Sequence, residues 1–200
     1  MSAAETTPDG KPMVGPFDRA GWRTWLIDNH AASNGVFLVS WRPASGRSSV
    51  PYDDAVEEAL CVGWVDSFGK AIDADRSIQW FSPRRSRSAW ARSNKERVER
   101  LLAAGLMLPA GLAAIEDAKR TGMWSILDDV ENGVVPEDLV AALDGRPEAR
   151  ANWDSFSQSA RRAMLEWVVQ ARRPETRSKR ITAIAESAAR KQKAYPPVTD

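Results

Sequence analysis

Apolar positions along the chain recur with mixed periods in the front half and with a helical period alone in the back half. Asp18 is placed to cap a helix, with Phe17 before it and Trp22 inside it as a hydrophobic staple; Trp22, Trp25, Leu26 and Asn29 continue at helical spacing. Asn34-Gly35 then supplies a turn, and the unbroken apolar run Val36 to Trp41 predicts a buried strand. Pro43 to Pro51 reads as a Ser/Gly/Pro loop. Tyr52, Ala55, Val56, Ala59 and Leu60 follow as the apolar stripe of a helix ending at Gly63. Trp64 to Ile72 and Ser77 to Phe81 are rich in aromatic and β-branched residues around the turn Asp73-Ala74-Asp75-Arg76, which predicts a hairpin.

From Ser93 onward the period is helical. Ser93 and Glu96 have the spacing of a capping box, Val98, Leu101 and Leu102 form the stripe, and Gly105 ends the helix. Pro109, Pro136, Pro147 and Pro174 stand where first helical positions are expected, with Gly122 and Gly145 at helix ends. The last two helices show the clearest stripes, Ala160, Met164, Trp167, Val168 and Ala171 on one and Ile181, Ile184, Ala185 and Ala188 on the other. The fold class is α+β: a small antiparallel or mixed sheet with flanking helices in front, and an all-helical back half. The expected organisation is a flexible leader over residues 1–15, an α+β unit over 16–105, a helical unit over 106–190 packed on it, and a loose tail over 191–200.

Composition adds a packed core, since 43% of residues are hydrophobic and 28% charged, an ordinary globular balance. The nine tryptophans predict thick core layers. Cys61 is the single cysteine, so no intrachain disulfide forms, and a free thiol suits the cytoplasm. No apolar run reads as a signal peptide or a membrane span. The net charge of +1 conceals alternation, because residues 76–100 hold 8 basic and 2 acidic side chains and residues 161–200 hold 10 and 4. These two basic blocks are where an anionic partner would bind.

One histidine and one cysteine cannot build a usual zinc site, and no phosphate-binding or dinucleotide glycine motif occurs, so neither a metal nor a cofactor is expected. His30 reads as a helix-end residue and Cys61 as an inert buried thiol. Asp53, Asp54, Glu57 and Glu58 read as the solvated face of their helix. The segment 76–97 interleaves Trp80, Phe81 and Trp90 with Arg84, Arg85, Arg87, Arg92 and Lys95. Guanidinium groups there suit phosphate or carboxylate, and aromatic faces suit rings. Asp66, inside an aromatic strand, is expected to be at least partly buried and to pair with one of these arginines.

Gly63-Trp64-Val65-Asp66-Ser67, Trp80-Phe81-Ser82-Pro83-Arg84-Arg85, Ser88-x-Trp90, Asn94-Lys95-Glu96-Arg97-Val98 and Gly105-Leu106-Met107 with Pro109-Ala110-Gly111 resemble the bacterial YdeI/OmpD-associated family. Trp153-x-x-Phe156, Ser159-x-Arg161-Arg162 and Arg173-Pro174-Glu175-Thr176-Arg177 resemble its helical C-terminal region, and the likeness runs from about Phe17 to Ala189. The resemblance implies bacteriocin protection and association with an outer-membrane porin, and it brings no catalytic residues. The missing signal peptide argues against direct porin contact.

The leading functional expectation is a cytoplasmic module binding an anionic small molecule through Asp66, Arg76, Trp80, Ser82, Arg84, Arg85, Ser88, Trp90, Asn94 and Lys95, linked to stress or antimicrobial-peptide protection. One alternative is an enzyme in the same pocket, with Asp66 as general base and the arginines stabilising developing negative charge. Another is a nucleic-acid or protein-interaction factor using both basic blocks, the second being Arg172, Arg173, Arg177, Lys179 and Arg180. The near-neutral total weighs against nucleic acid.

Overall fold

A computed structural model describes residues 5–194, which divide into two compact units: residues 5–88 with 93–121, and residues 89–92 with 122–194. The division falls at Thr121 and Gly122, beyond the position 105 read from the sequence, because the helix over Pro109–Arg120 packs within the first unit.

The first unit is built on a five-stranded mixed sheet, β1 (Glu5–Thr6), β2 (Pro12–Val14), β3 (Val36–Trp41), β4 (Trp64–Ala71) and β5 (Arg76–Pro83), in the order β1-β2-β3-β5-β4. The strand β3 coincides with the expected one and is buried on both faces from Val36 to Val39. The hairpin β4-β5 also forms where expected, antiparallel, with a register shift between Asp66 and Gly69. The leader expected to be flexible over 1–15 instead supplies β1 and β2, and β2 pairs parallel to β3 through Met13–Phe37 and Val14–Leu38. A central strand leaves backbone N–H and C=O groups open on both edges, and even a three-residue strand satisfies them. Residues 1–4 of that leader lie outside the described residues.

The helices α1 (Arg19–Asn29) and α2 (Tyr52–Cys61) pack together beside the sheet. Asp18 caps α1 by accepting the Gly21 N–H at 2.7 Å. Trp22, fully buried, meets Phe81 of β5 at 5.3 Å between centroids and donates its indole N–H to Ala55 O at 3.1 Å. Trp25 stacks on Trp22 and abuts Trp64 edge-on, and Trp64 donates to His30 O. This is the tryptophan layer that the composition predicts. His30 caps the C-terminus of α1, its Nδ1 2.9 Å from Leu26 O, in the structural role read from the sequence.

Two further helices complete the unit, α3 (Arg92–Ala103), which begins one residue before the expected cap at Ser93 and belongs to this unit from Ser93 onward, and α4 (Pro109–Arg120). The end of α2 and the start of α4 meet main chain to main chain. A Cβ on Gly111 would lie 2.4 Å from Cys61 O, one on Gly63 (φ +75°) would lie 2.8 Å from Ala110 O, and Leu108 N–H donates to Cys61 O at 3.0 Å. Cys61 is buried at this crossing, and burial pushes its thiol up and keeps it protonated, in keeping with an inert side chain.

The second unit is helical: α5 (Asp128–Glu131), α6 (Glu137–Asp144), α7 (Pro147–Ser155), α8 (Gln158–Val169) and α9 (Pro174–Ala189). Pro147 and Pro174 hold first helical positions, whereas Pro136 sits one residue earlier as a cap, and Gly145 ends its helix with right-handed backbone (φ −66°). The stripes of α8 and α9 meet in one core through Met164, Val168, Ile184, Ala185 and Ala188 with Trp153. Arg177 grips Asp138 with two hydrogen bonds of 2.6 and 2.8 Å. Ala194 is buried, and residues 195–200 of the expected tail lie outside the described residues. Among the described residues no helix is long and apolar enough to cross a membrane.

Candidate functional site

Of the acidic residues of α2 Asp53 is exposed, but Asp54, Glu57 and Glu58 do not form a solvated face. Glu58 is 3% exposed and accepts Arg19 Nε and Arg23 Nη1, each at 2.6 Å. Arg19 also reaches Asp54 at 2.6 Å and Glu57 at 3.0 Å, while Arg100 of α3 reaches Glu57 at 3.1 Å. The expectation fails because α1 runs alongside that face and carries two arginines into it. Helical spacing within α2 cannot reveal a partner 35 to 39 residues away. Among the described residues no group of three or more His, Cys, Asp or Glu is arranged to hold a metal ion.

A second polar cluster gathers around Asp66 at the base of β4, where the carboxylate is half-buried. Its oxygen accepts the Tyr52 hydroxyl at 2.7 Å and the Gln79 amide at 3.3 Å. The arginine pairing read from the sequence is thereby corrected. The first residue of α2 and a side chain of β5 stand nearer, and Arg84 acts on Asp66 through charge. Burial pushes the Arg84 guanidinium down to about 10, and the Asp66 charge draws it back up. Burial and the bond to Asp66 push the Tyr52 phenol up to about 12, with Arg97 pulling the other way. Gly69, at the register shift, leaves room for the Gln79 amide, since a Cβ there would fall 2.2 Å from Gln79 Oε1.

This cluster unites part of the set read from the sequence. Arg84 Nη1 donates to Ser88 Oγ at 3.4 Å, and Asn94 accepts from Arg97, which in turn reaches Asp53 at 2.6 Å. Ser82 lies on β5 opposite Val65, Arg85 is exposed, and Lys95 is half-buried on α3. Three residues lie elsewhere. Arg76 closes the hairpin turn on Asp73 at 2.8 Å. Trp80 projects on the sheet face opposite Gln79 and Phe81, edge-on to Phe37 at 4.8 Å with the Lys11 ammonium 5.4 Å from its ring. Trp90 is 1% exposed and belongs to the second unit, where it packs on Trp124 at 5.1 Å. Trp64, also 1% exposed, is likewise a core residue, whereas Trp80 is only partly buried.

Beside the Asp66 cluster lies a pocket of about 700 Å³ between the sheet and the loop joining β3 to α2. Leu38, Ser40, Ser77, Gln79 and Phe81 alternate onto one sheet face beneath it, and Tyr52 and Gln79 belong to both pocket and cluster. Its charged lining residues are Arg47 and Lys70, and Arg47 lies over the Trp41 ring at 4.5 Å. Ser48 and Ser49 add hydroxyls, and Ser49 Oγ accepts the Trp41 N–H at 3.0 Å. Sequence reasoning missed Tyr52 because its spacing assigned it to the buried stripe, whereas it is 56% exposed. Arg47 carried no signal beyond being a cation in a Ser/Gly/Pro loop.

Residues 132–191 match the family model described as bacteriocin-protection, YdeI or OmpD-associated. The match lies in the C-terminal region. Residues 16–114 match a separate model, a domain of unknown function, and the front-half motifs that resemble the YdeI/OmpD-associated family fall within it. No curated protein and no solved structure matches the chain.

Proposed function

We propose that the first unit is a binding module for a small organic anion with an apolar body, seated in the pocket over β3 and β5. The observation that supports this reading is the pocket lining, which combines apolar walls at Leu38, Val50 and Phe81 with a row of hydroxyls and has Arg47 and Lys70 as its charged groups. Arg47, pre-positioned on Trp41, takes the anionic group, and Ser40, Ser77 and Gln79 supply polar contacts. The Asp66 cluster holds Tyr52 and Gln79 in place as one wall. Tyr52 donates its hydroxyl to Asp66 at 2.7 Å and so serves the pocket as a fixed hydrogen-bonding wall group.

Titration calorimetry on the full chain tests this, with indole-3-acetate as the anionic probe and indole-3-acetamide as its neutral counterpart. The acid should bind and the amide should bind at least about tenfold more weakly, a difference of about 1.4 kcal/mol. Arg47→Gln should erase that preference. Equal binding of acid and amide, or an unchanged preference in Arg47→Gln, would rule the reading out.

A further inference from the structure

The second unit holds a cavity of about 450 Å³ between the α5 end and α8 that the reading above does not use. Its apolar wall includes Val130, Val135 and Leu165, and its charged groups are Glu131, Arg161 and Arg162. These three are not equivalent. The Glu131 side chain is 4% exposed and already engaged, accepting the Arg92 backbone N–H at 3.0 and 3.1 Å on its two oxygens and Arg162 Nη2 at 3.0 Å. Arg162 also holds Glu166 at 2.8 Å. Among the described residues the half-buried Arg161 side chain makes no hydrogen bond or ion pair. A guanidinium that is partly desolvated and carries no internal counter-ion, on the wall of an apolar cavity, is in place for an external one.

We infer that this cavity binds a small monoanionic carboxylate, its carboxyl group held by Arg161 with Ser159 and its hydrocarbon part lying against Val130, Val135 and Leu165. The charge count selects the class. Glu131 and Glu166 already balance Arg162, so Arg161 is the cation of the lining that lacks a carboxylate partner, and one carboxylate supplies it. A phosphate dianion would set uncompensated negative charge beside the buried Glu131. The apolar wall favours a carbon chain over a bare inorganic anion.

Calorimetry of the full chain with hexanoate, 1-hexanol and inorganic phosphate, at matched ionic strength, tests the inference. Hexanoate should bind at least tenfold more tightly than either alternative. Arg161→Gln should weaken hexanoate at least tenfold while leaving the melting temperature of the unliganded protein essentially unchanged, since Arg161 has no internal partner to lose. Val135→Trp, which fills the cavity and keeps Arg161, should block hexanoate as well. Arg47→Gln in the first unit should leave hexanoate binding intact, so failure of the pocket over the sheet and failure of this site are read separately. No hexanoate binding, equal binding of hexanol or phosphate, or undiminished binding in Arg161→Gln would each overturn the inference.

Discussion

Replacing Glu58 tests whether the acidic face of α2 is structural. Its carboxylate is 3% exposed and receives two guanidinium hydrogen bonds of 2.6 Å, from Arg19 and Arg23. Removing one partner of a buried ion pair costs about 3–5 kcal/mol, because the remaining charge is stranded. Here the stranded groups are 38% and 28% exposed, so water recovers part of that cost, and Arg19 keeps Asp54 and Glu57. The expected loss is therefore about 3 kcal/mol for Glu58→Ala and about 2 kcal/mol for Glu58→Gln, which keeps the shape without the charge. For a unit of this size about 3 kcal/mol corresponds to a fall of roughly 12 °C or more in melting temperature. Urea denaturation followed by tryptophan fluorescence measures it without adding salt that would screen the pairs. A double-mutant cycle with Arg23→Met isolates the pair, and a coupling of about 1 kcal/mol or more is expected. A loss below about 1 kcal/mol for Glu58→Ala, or additive single mutants, would refute the network and restore an ordinary solvated face.

Three other outcomes follow from the Asp66 cluster. The chain has two tyrosines, and near-ultraviolet absorbance should show Tyr52 ionising at about 12, a step absent from Tyr52→Phe. Because the folded phenol lies above the unfolded value of 10, its stabilisation is complete below pH 10 and is lost as pH rises through about 12; two steps near 10 would contradict the bond to Asp66. Asp66→Asn should cost about 2 kcal/mol by removing the negative charge that offsets the desolvation of Arg84, and adding Arg84→Met should recover part of it, whereas a further loss in the double mutant would argue against that coupling. Gly69→Ala should displace the Gln79 amide from Asp66 at a cost of about 1 kcal/mol while leaving the Tyr52 titration in place, and a Tyr52 step that moves with it would show the two donors to be interdependent.

The sequence was most legible where one local pattern decided the structure. The apolar run Val36 to Trp41 became β3, and Asp18 caps α1 through a bond spanning three residues. The turn between two aromatic stretches likewise became the hairpin. What escaped depends on partners distant in sequence. Three residues of β2 carry too little alternation to read, and they pair only because β3 presents an open edge. Glu58 and Tyr52 were misassigned for the same reason: helical spacing says which residues share a face, and only the neighbouring element says what covers it. Within the basic segment, Arg84 and Ser88 come together across a short loop, but strand alternation turns Trp80 away from the Asp66 side and Trp90 enters the other core.

The crossing of α2 and α4 at Gly63 and Gly111 limits how this chain can diverge. Elsewhere in the first unit a larger side chain can be offset by a smaller neighbour, so the tryptophan layer can be remodelled by paired changes. At the crossing the nearest atoms are carbonyl groups of Cys61, Leu60 and Ala110, which no substitution can trim. Only the methyl of Ala114, 3.1 Å from a Cβ on Gly63, is open to compensation. In a saturation library selected for folded protein, surviving clones should therefore vary at Trp22, Trp25 and Trp64 before they lose glycine at either position.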